Sequence, residues 1–265
     1  MTRSYIFLPT LLAAIVLAGC AKLTNQNNSQ APDRGGVIAN SNRGESSPPP
    51  PAAVAAGTPT TWEEKASSLN GKDGQTFVLA CSPNGAAHTV WGSDIYTSDS
   101  SICTAAVYGG LITLQQGGTV TLEIRPGRPI YGCGERNGVE TSCYGSWAQS
   151  FVLNSRGSEA AVREAEDQTQ VTWTFSPAML NSEDNKPWKF KCPADGKESN
   201  VWGTDTYTAD SSVCNAAVHA GKFSRDAGGA VTIEFRPGAS SYKGTTRNGV
   251  TSNDYGQYGR SFVIK

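Results

Sequence analysis

The stretch Asp99–Gly110, DSSICTAAVYGG, returns as DSSVCNAAVHAG at Asp210–Gly221. Each copy reads as a short helix with both ends marked. Asp99 and Ser100 offer side-chain oxygens to the free amides of a first turn. Gly110 and Gly221 stand where a left-handed residue ends a helix. Between those ends Ile102, Cys103, Ala105, Ala106 and Val107 leave no polar face, and a helix that is apolar all round is enclosed on several sides. The adjacent alanines let strands approach its backbone closely. The expected unit is a buried central helix.

The flanks repeat with the helix. One ungapped offset of 111 positions relates Cys81 to Cys192, Trp91 to Trp202 and Cys103 to Cys214. It also relates Gly117-Gly118 to Gly228-Gly229, and Arg125-Pro126-Gly127 to Arg236-Pro237-Gly238. Arg136-Asn137-Gly138-Val139 returns as Arg247-Asn248-Gly249-Val250, and Ser150-Phe151-Val152 as Ser261-Phe262-Val263. Upstream the match reaches Thr61-Trp62 and Thr172-Trp173. A spaced pattern of this length marks a tandem duplication, and copies of roughly 90 residues make two domains rather than a solenoid.

Inside each copy Val120, Leu122 and Ile124 alternate with Thr121, Glu123 and Arg125, which predicts a half-buried strand. Val231, Ile233 and Phe235 do the same against Thr232, Glu234 and Arg236. Further strands are expected at 77–80, 89–91 and 150–153, the last repeated at 261–264. Gly117-Gly118 and Asn137-Gly138 favour positive φ and predict turns.

These residues resemble the LCCL domain family. The second copy carries the family's Cys192-Pro193, Tyr207, Ser211-Ser212-Val213-Cys214, Ala216-Ala217-Val218-His219 and Gly221. Both copies share the Gly-Gly hairpin, the Asn-Gly-Val turn and a final Ser-Phe-Val. The first departs by Ser82 after its cysteine and by Tyr108 at the histidine position. The resemblance implies an α+β fold of two tandem LCCL-like domains, each a short central helix wrapped by antiparallel β-strands. They would occupy 61–153 and 172–265. The polar, charged segment 154–171 is read as a linker whose AAVREAE run can form an exposed helical turn or two. The ligands that the resemblance implies are lipopolysaccharide or glycans.

Residues 1–19 read as an export signal, with Arg3 before an apolar run from Tyr5 to Leu17 that is too short to span a bilayer comfortably. Leu17-Ala18-Gly19-Cys20 resembles a bacterial lipobox, in which the Cys20 sulfur receives a diacylglycerol. An ordinary secretory signal cut elsewhere is the alternative. Several acyl chains on one residue suffice for stable membrane anchoring. Ala21, by resemblance to sorting in diderm bacteria, favours the outer membrane of the cell envelope. Residues 20–60, rich in Asn, Gln, Ser, Gly, Ala and Pro, cannot bury enough surface to offset their ordering entropy and are read as a disordered tether.

Of the seven cysteines, six remain after Cys20. An exported chain with small cores predicts disulfides. Cys192 and Cys214 must pair with each other or with the first copy. Pairing within each repeat, Cys81–Cys103 and Cys192–Cys214, is the economical reading and agrees with the family. Cys133 and Cys143, private to the first copy, then form the third bond. The rival, a zinc site, lacks a CxxC pair or clustered histidines, so neither metal nor cofactor is expected.

The formal net charge of −1 does not indicate a nucleic-acid surface. The mean hydropathy of −0.36 and the lack of a second apolar run argue against a spanning helix after the signal. His88 and His219 are not equivalent, and His219, where the first copy has Tyr108, is expected to pack or to hydrogen-bond. Asp94, Asp99 and Glu123 recur as Asp205, Asp210 and Glu234, so a two-acid glycosidase is the enzymatic alternative. Each has a structural role to hand, with Asp99 as a cap, Glu123 paired with Arg125 and Asp94 in a turn, so no catalytic residue is assigned.

A binding module fits better. Its candidate ligand-binding residues are Arg136, Asn137, Tyr144 and Trp147, with Arg247, Asn248, Tyr255 and Tyr258 in the second copy. Trp91, Tyr96 and Tyr131, echoed by Trp202, Tyr207 and Tyr242, are further rings in loop contexts. Core packing accounts equally well for Trp91 and Tyr96, and turn chemistry for the Arg-Asn pairs. A third reading is a structural spacer of the envelope. An exposed aromatic groove recurring in both copies would discriminate.

Overall fold

The computed structural model describes residues 56–154, 158–180 and 183–265. The expected signal, Cys20 and nearly all of the expected tether lie outside the described residues. The described residues form one compact unit.

The first repeat runs β1 (Thr58–Thr60), β2 (Thr76–Cys81), β3 (Gly92–Ser93), β4 (Ile95–Thr97), α1 (Ile102–Tyr108), β5 (Gly118–Pro126), β6 (Gly134–Arg136), β7 (Val139–Thr141) and β8 (Gln149–Leu153). A helix, α2 (Ser158–Asp167), follows. The second repeat runs β9 (Thr169–Gln170), β10 (Pro187–Cys192), β11 (Gly203–Thr204), β12 (Thr206–Thr208), α3 (Val213–His219), β13 (Gly229–Ala239), β14 (Thr246–Arg247), β15 (Val250–Thr251) and β16 (Tyr258–Ile264). The two sheets share one topology, β1-β2-β5-β8-β4-β3 and β9-β10-β13-β16-β12-β11. Among the described strands, β1–β2 and β9–β10 pair in parallel, and the other strand pairs are antiparallel. Two-stranded hairpins, β6–β7 and β14–β15, complete the repeats.

Every residue of α1 and α3 is buried, as their mainly small and apolar residues require, and the polar Thr104, Asn215 and His219 are buried with them. The glycines end them as expected. Gly110 and Gly221 have φ of +73° and +76°. The Gly110 amide donates to Val107 O and the Leu111 amide to Ala106 O, both at 2.9 Å, which satisfies the last carbonyls of the helix. The N-caps differ from the expected Asp99 and Ser100. Ser101 Oγ accepts from the Thr104 amide and Ser212 Oγ from that of Asn215, each at 3.2 Å. Ser100 Oγ instead accepts from the Trp91 amide at 2.9 Å. The expected strand at 89–91 is also absent. Trp91 makes a single bridge to Ser142, and the short strands begin at Gly92, where the left-handed Asp94 (φ +66°) turns the chain.

Three disulfides close within repeats. Cys81–Cys103 and Cys192–Cys214 tie the first long strand to the central helix across Cα separations of 5.9 and 5.7 Å, and Cys133–Cys143 spans 4.5 Å. All three separations fall within the Cα range of a disulfide.

The segment read as a linker is part of the fold. Val162 of α2 packs with Ile95, Tyr131 and Val152 of the first repeat, and Arg128 Nη2 donates to Ala165 O at 3.0 Å. On its polar side Glu164 and Asp167 pair with Lys191 and Lys189 of the second repeat. β9 lies in the same segment, and β1 lies in the expected tether. Strands of two or three residues carry no readable period.

The repeats are docked beyond α2. Ile130 and Cys143 of the first pack on the hydrophobic core of the second. The Cys133 amide donates to Gln170 O at 3.0 Å, and Arg136 Nη2 to Gln170 Oε1 at 2.8 Å. A side chain at Gly132 would come 2.6 Å from Gln170 O. Where the first repeat has Cys133 and Cys143, the second has Gly244 and Asp254, and there the Gly244 amide donates to Asp254 Oδ1 at 2.8 Å. The extra disulfide thus braces the loop that carries the joint. Cys133→Ser with Cys143→Ser should cost about 3 kcal/mol. It should also speed hydrogen exchange of the residue 133 amide. An unchanged exchange rate would show that the joint does not depend on the bond.

Candidate functional site

In each repeat two distant loops bring three aromatic rings together. The Trp91–Ser142 and Tyr131–Tyr144 bridges seat Trp91 beside the loop that carries Tyr144 and Trp147. The Trp91 and Tyr144 centroids lie 6.2 Å apart at 66°, and those of Tyr144 and Trp147 5.7 Å apart at 83°. The second repeat reproduces this arrangement. Trp202 and Tyr255 lie 5.9 Å apart at 67°, and Tyr255 and Tyr258 5.8 Å apart at 73°. Edge-to-face packing of this kind orders rings that are only partly enclosed. Tyr144 and Tyr255 remain 38% and 39% exposed. Trp147 Nε1 is held by Ser98 Oγ at 3.1 Å. Trp91 also lines a cleft of about 230 Å³ that includes Glu63, His88 and Asp99.

The other candidates are engaged within the protein. Arg136 Nη1 is 2.7 Å from Asp94 Oδ1, as Arg247 Nη1 is from Asp205 Oδ1. Asn137 and Asn248 are left-handed, with φ of +52° and +50°. Their side-chain amides donate to Tyr108 O at 2.9 Å and His219 O at 3.1 Å, finishing the helix termini. Turn chemistry therefore accounts for both Arg-Asn pairs, and neither joins the aromatic triad. Tyr96, Tyr131, Tyr207 and Tyr242 are buried core residues.

Among the carboxylates, Glu123 pairs with Arg125 Nε at 2.9 Å, and Glu234 with Arg236 at 2.8 Å and Lys265 at 3.0 Å. The Lys265 hydrogen bond is the main cause holding the Glu234 carboxyl below its usual range. Asp99 and Asp210 are different. Having lost the expected capping role, they make no hydrogen bond or ion pair among the described residues. No group of His, Cys, Asp and Glu among the described residues is arranged to hold a metal, and no described helix is long and apolar enough to cross a membrane.

His219 is fully buried. Its Nε2 lies 3.1 Å from Thr245 O and its Nδ1 3.0 Å from the Tyr207 hydroxyl. A carbonyl only accepts, so Nε2 carries the proton and Nδ1 accepts from Tyr207. Burial is the main cause pushing the Tyr207 phenol up to about 12, and it drives Tyr96 in the same direction. Below the ordinary phenol value of 10.0 both states keep the proton. Above it the unfolded chain ionises first, so stability should fall as pH rises from about 10 to about 12. Denaturant unfolding at pH about 8 and about 11 checks this; equal midpoints would refute it.

Comparison with known proteins agrees with this architecture. A model of the LCCL domain matches residues 58–151 and 166–262. Cysteine-rich secretory protein LCCL domain-containing 2 of Homo sapiens is 30% identical over 184 residues, covering 66% of this chain and 35% of that protein. Human vitrin is 41% identical over 76 residues, covering 28% of this chain and 11% of vitrin. Human cochlin is 34% identical over 84 residues, covering 32% and 15% respectively. The chain thus spans about a third or less of the length of these relatives. With both repeats matched along nearly their whole length, the chain belongs to the LCCL domain family and carries two copies of the domain in tandem.

Proposed function

We propose that the chain is a pair of non-enzymatic binding modules of a bacterial cell envelope, lipid-anchored through Cys20, which hold glycan or lipopolysaccharide-type ligands on the recurring aromatic triads. The observation that carries this reading is the duplication of Trp91, Tyr144 and Trp147 as Trp202, Tyr255 and Tyr258 in matching edge-to-face geometry. Membership of the LCCL family supports a non-enzymatic binding or interaction module. Part-exposed rings offer flat apolar surface to a sugar, and two sites on one docked unit raise avidity without new contacts.

A glycan and lipopolysaccharide array tests the ligand class. The pair Tyr144→Ala and Tyr255→Ala should lose at least tenfold in apparent affinity, more than either change alone. Full binding by the double variant would refute the site. Silence of the wild-type chain would favour a structural spacer, for which the docked joint gives rigidity. Cys20→Ser should release the protein from membranes or leave an uncleaved precursor, and unchanged mass and fractionation would refute the anchor.

A further inference from the structure

One feature of each repeat is left over by the fold. Ser101 and Ser212 cap the central helices, and Asp99 and Asp210 have no hydrogen-bond or ion-pair partner among the described residues. Asp210 Oδ1 is enclosed and receives no hydrogen bond from the protein. Asp210 as a whole, like Asp99, is half-buried, so this oxygen is an acceptor that the protein leaves unfilled beside solvent. It lies near the triad, since the next residue, Ser211, accepts through Oγ from the Trp202 amide at 3.0 Å. In the first repeat Asp99 and Trp91 line the same cleft of about 230 Å³. That volume is below the roughly 300–1,000 Å³ of drug-sized sites, so it suits one small unit. Glu63 on the cleft rim adds a second carboxylate, 3.9 Å from His88. Lys65 also lines the cleft. In the second repeat Thr174, Ser176 and Ser199 replace Glu63, Lys65 and His88, while Trp202 and Asp210 are kept. The tryptophan–aspartate pair is the shared element.

We propose that this pair, Trp91 with Asp99 and Trp202 with Asp210, binds the ammonium group of an amino-sugar unit. The proposal rests on the glycan reading above and narrows it. An ammonium supplies charge-assisted donors to the carboxylate and a cation for the adjacent rings. A neutral sugar leaves the charge uncompensated, and a phosphate or acidic sugar is repelled by it.

The test compares the full chain binding a trimer of β-1,4-linked glucosamine with the same trimer N-acetylated. The free-amine trimer should bind about tenfold more tightly, as for one added charge-assisted hydrogen bond. The double variant Asp99→Asn, Asp210→Asn should bring both trimers to the acetylated level without lowering the unfolding midpoint. Equal binding of the two trimers by wild type would overturn the amine assignment while leaving the glycan reading intact. Binding of neither trimer together with silence on the array would overturn both. A preference that survives in the double variant would overturn the residue assignment. So would loss of its fold, which would show the carboxylates to be held by the protein. Binding to phosphatidylethanolamine vesicles as tight as to the free-amine trimer would overturn the sugar assignment.

Discussion

Ala217→Asp should unfold the second repeat. Ala217 is fully buried in α3 at the heart of that repeat's core. A carboxylate there would have neither water nor a partner, and removal of one partner from a buried ion pair, a comparable uncompensated charge, costs about 3–5 kcal/mol. The added volume costs about 1–3 kcal/mol more in a packed core. Stabilities of native domains are about 5–15 kcal/mol, so the loss is a large part of the whole. The joint extends the consequence. Ile130 and Cys143 of the first repeat rest on this core, and Gln170 receives the Cys133 amide. The first repeat should therefore lose stability when the second unfolds, rather than survive untouched. Ala106→Asp should act on the first repeat in the same way. Urea unfolding followed by circular dichroism decides this. A cooperatively folded Ala217→Asp protein would show that the helix is not enclosed.

Removing a strand-to-helix disulfide should have the next largest effect. Cys192→Ala with Cys214→Ala opens a bond of sequence separation 22, worth about 3 kcal/mol by the chain-entropy account. The same holds for Cys81 with Cys103. Both bonds end on fully buried helical cysteines, so loss of sulfur packing adds to the entropic term. Denaturant midpoints of the paired variants check the magnitude. Non-reducing peptide mapping checks the pairing, and a peptide joining Cys103 to Cys214 would contradict it.

Much of each repeat is written in local signals. The positive φ of Gly110 and Gly221 ends the helices, and the alternation from Val120 to Arg125 faces its apolar side inward as β5. The nearly all-apolar surface from Ile102 to Val107, interrupted by Thr104, demands enclosure. The common offset joins these into two copies, and the equal cysteine spacing makes pairing within each repeat the economical choice. Tertiary structure decided what depends on distant neighbours. Asp99, Ser100 and Ser101 are all acceptable caps by residue type. Which one turns into the helix is fixed by where the chain meets Trp91 and Trp62, to which Ser100 and Ser101 bond. That choice leaves Asp99 without a hydrogen-bond or ion-pair partner among the described residues. β1 and β9 are too short for any period to show, and they exist because β2 and β10 offer them an edge. Arg136 and Asn137 look free beside their turn, yet Asp94, Gln170 and the end of α1 accept from their side-chain nitrogens. The triad gathers Trp91 with rings more than fifty positions later in the chain, through bridges that no local pattern encodes. The Cys133–Cys143 bond is replaced in the second copy by the Gly244–Asp254 hydrogen bond, and it is the first copy's loop that meets the other repeat's core, a surface that exists only once both repeats have folded.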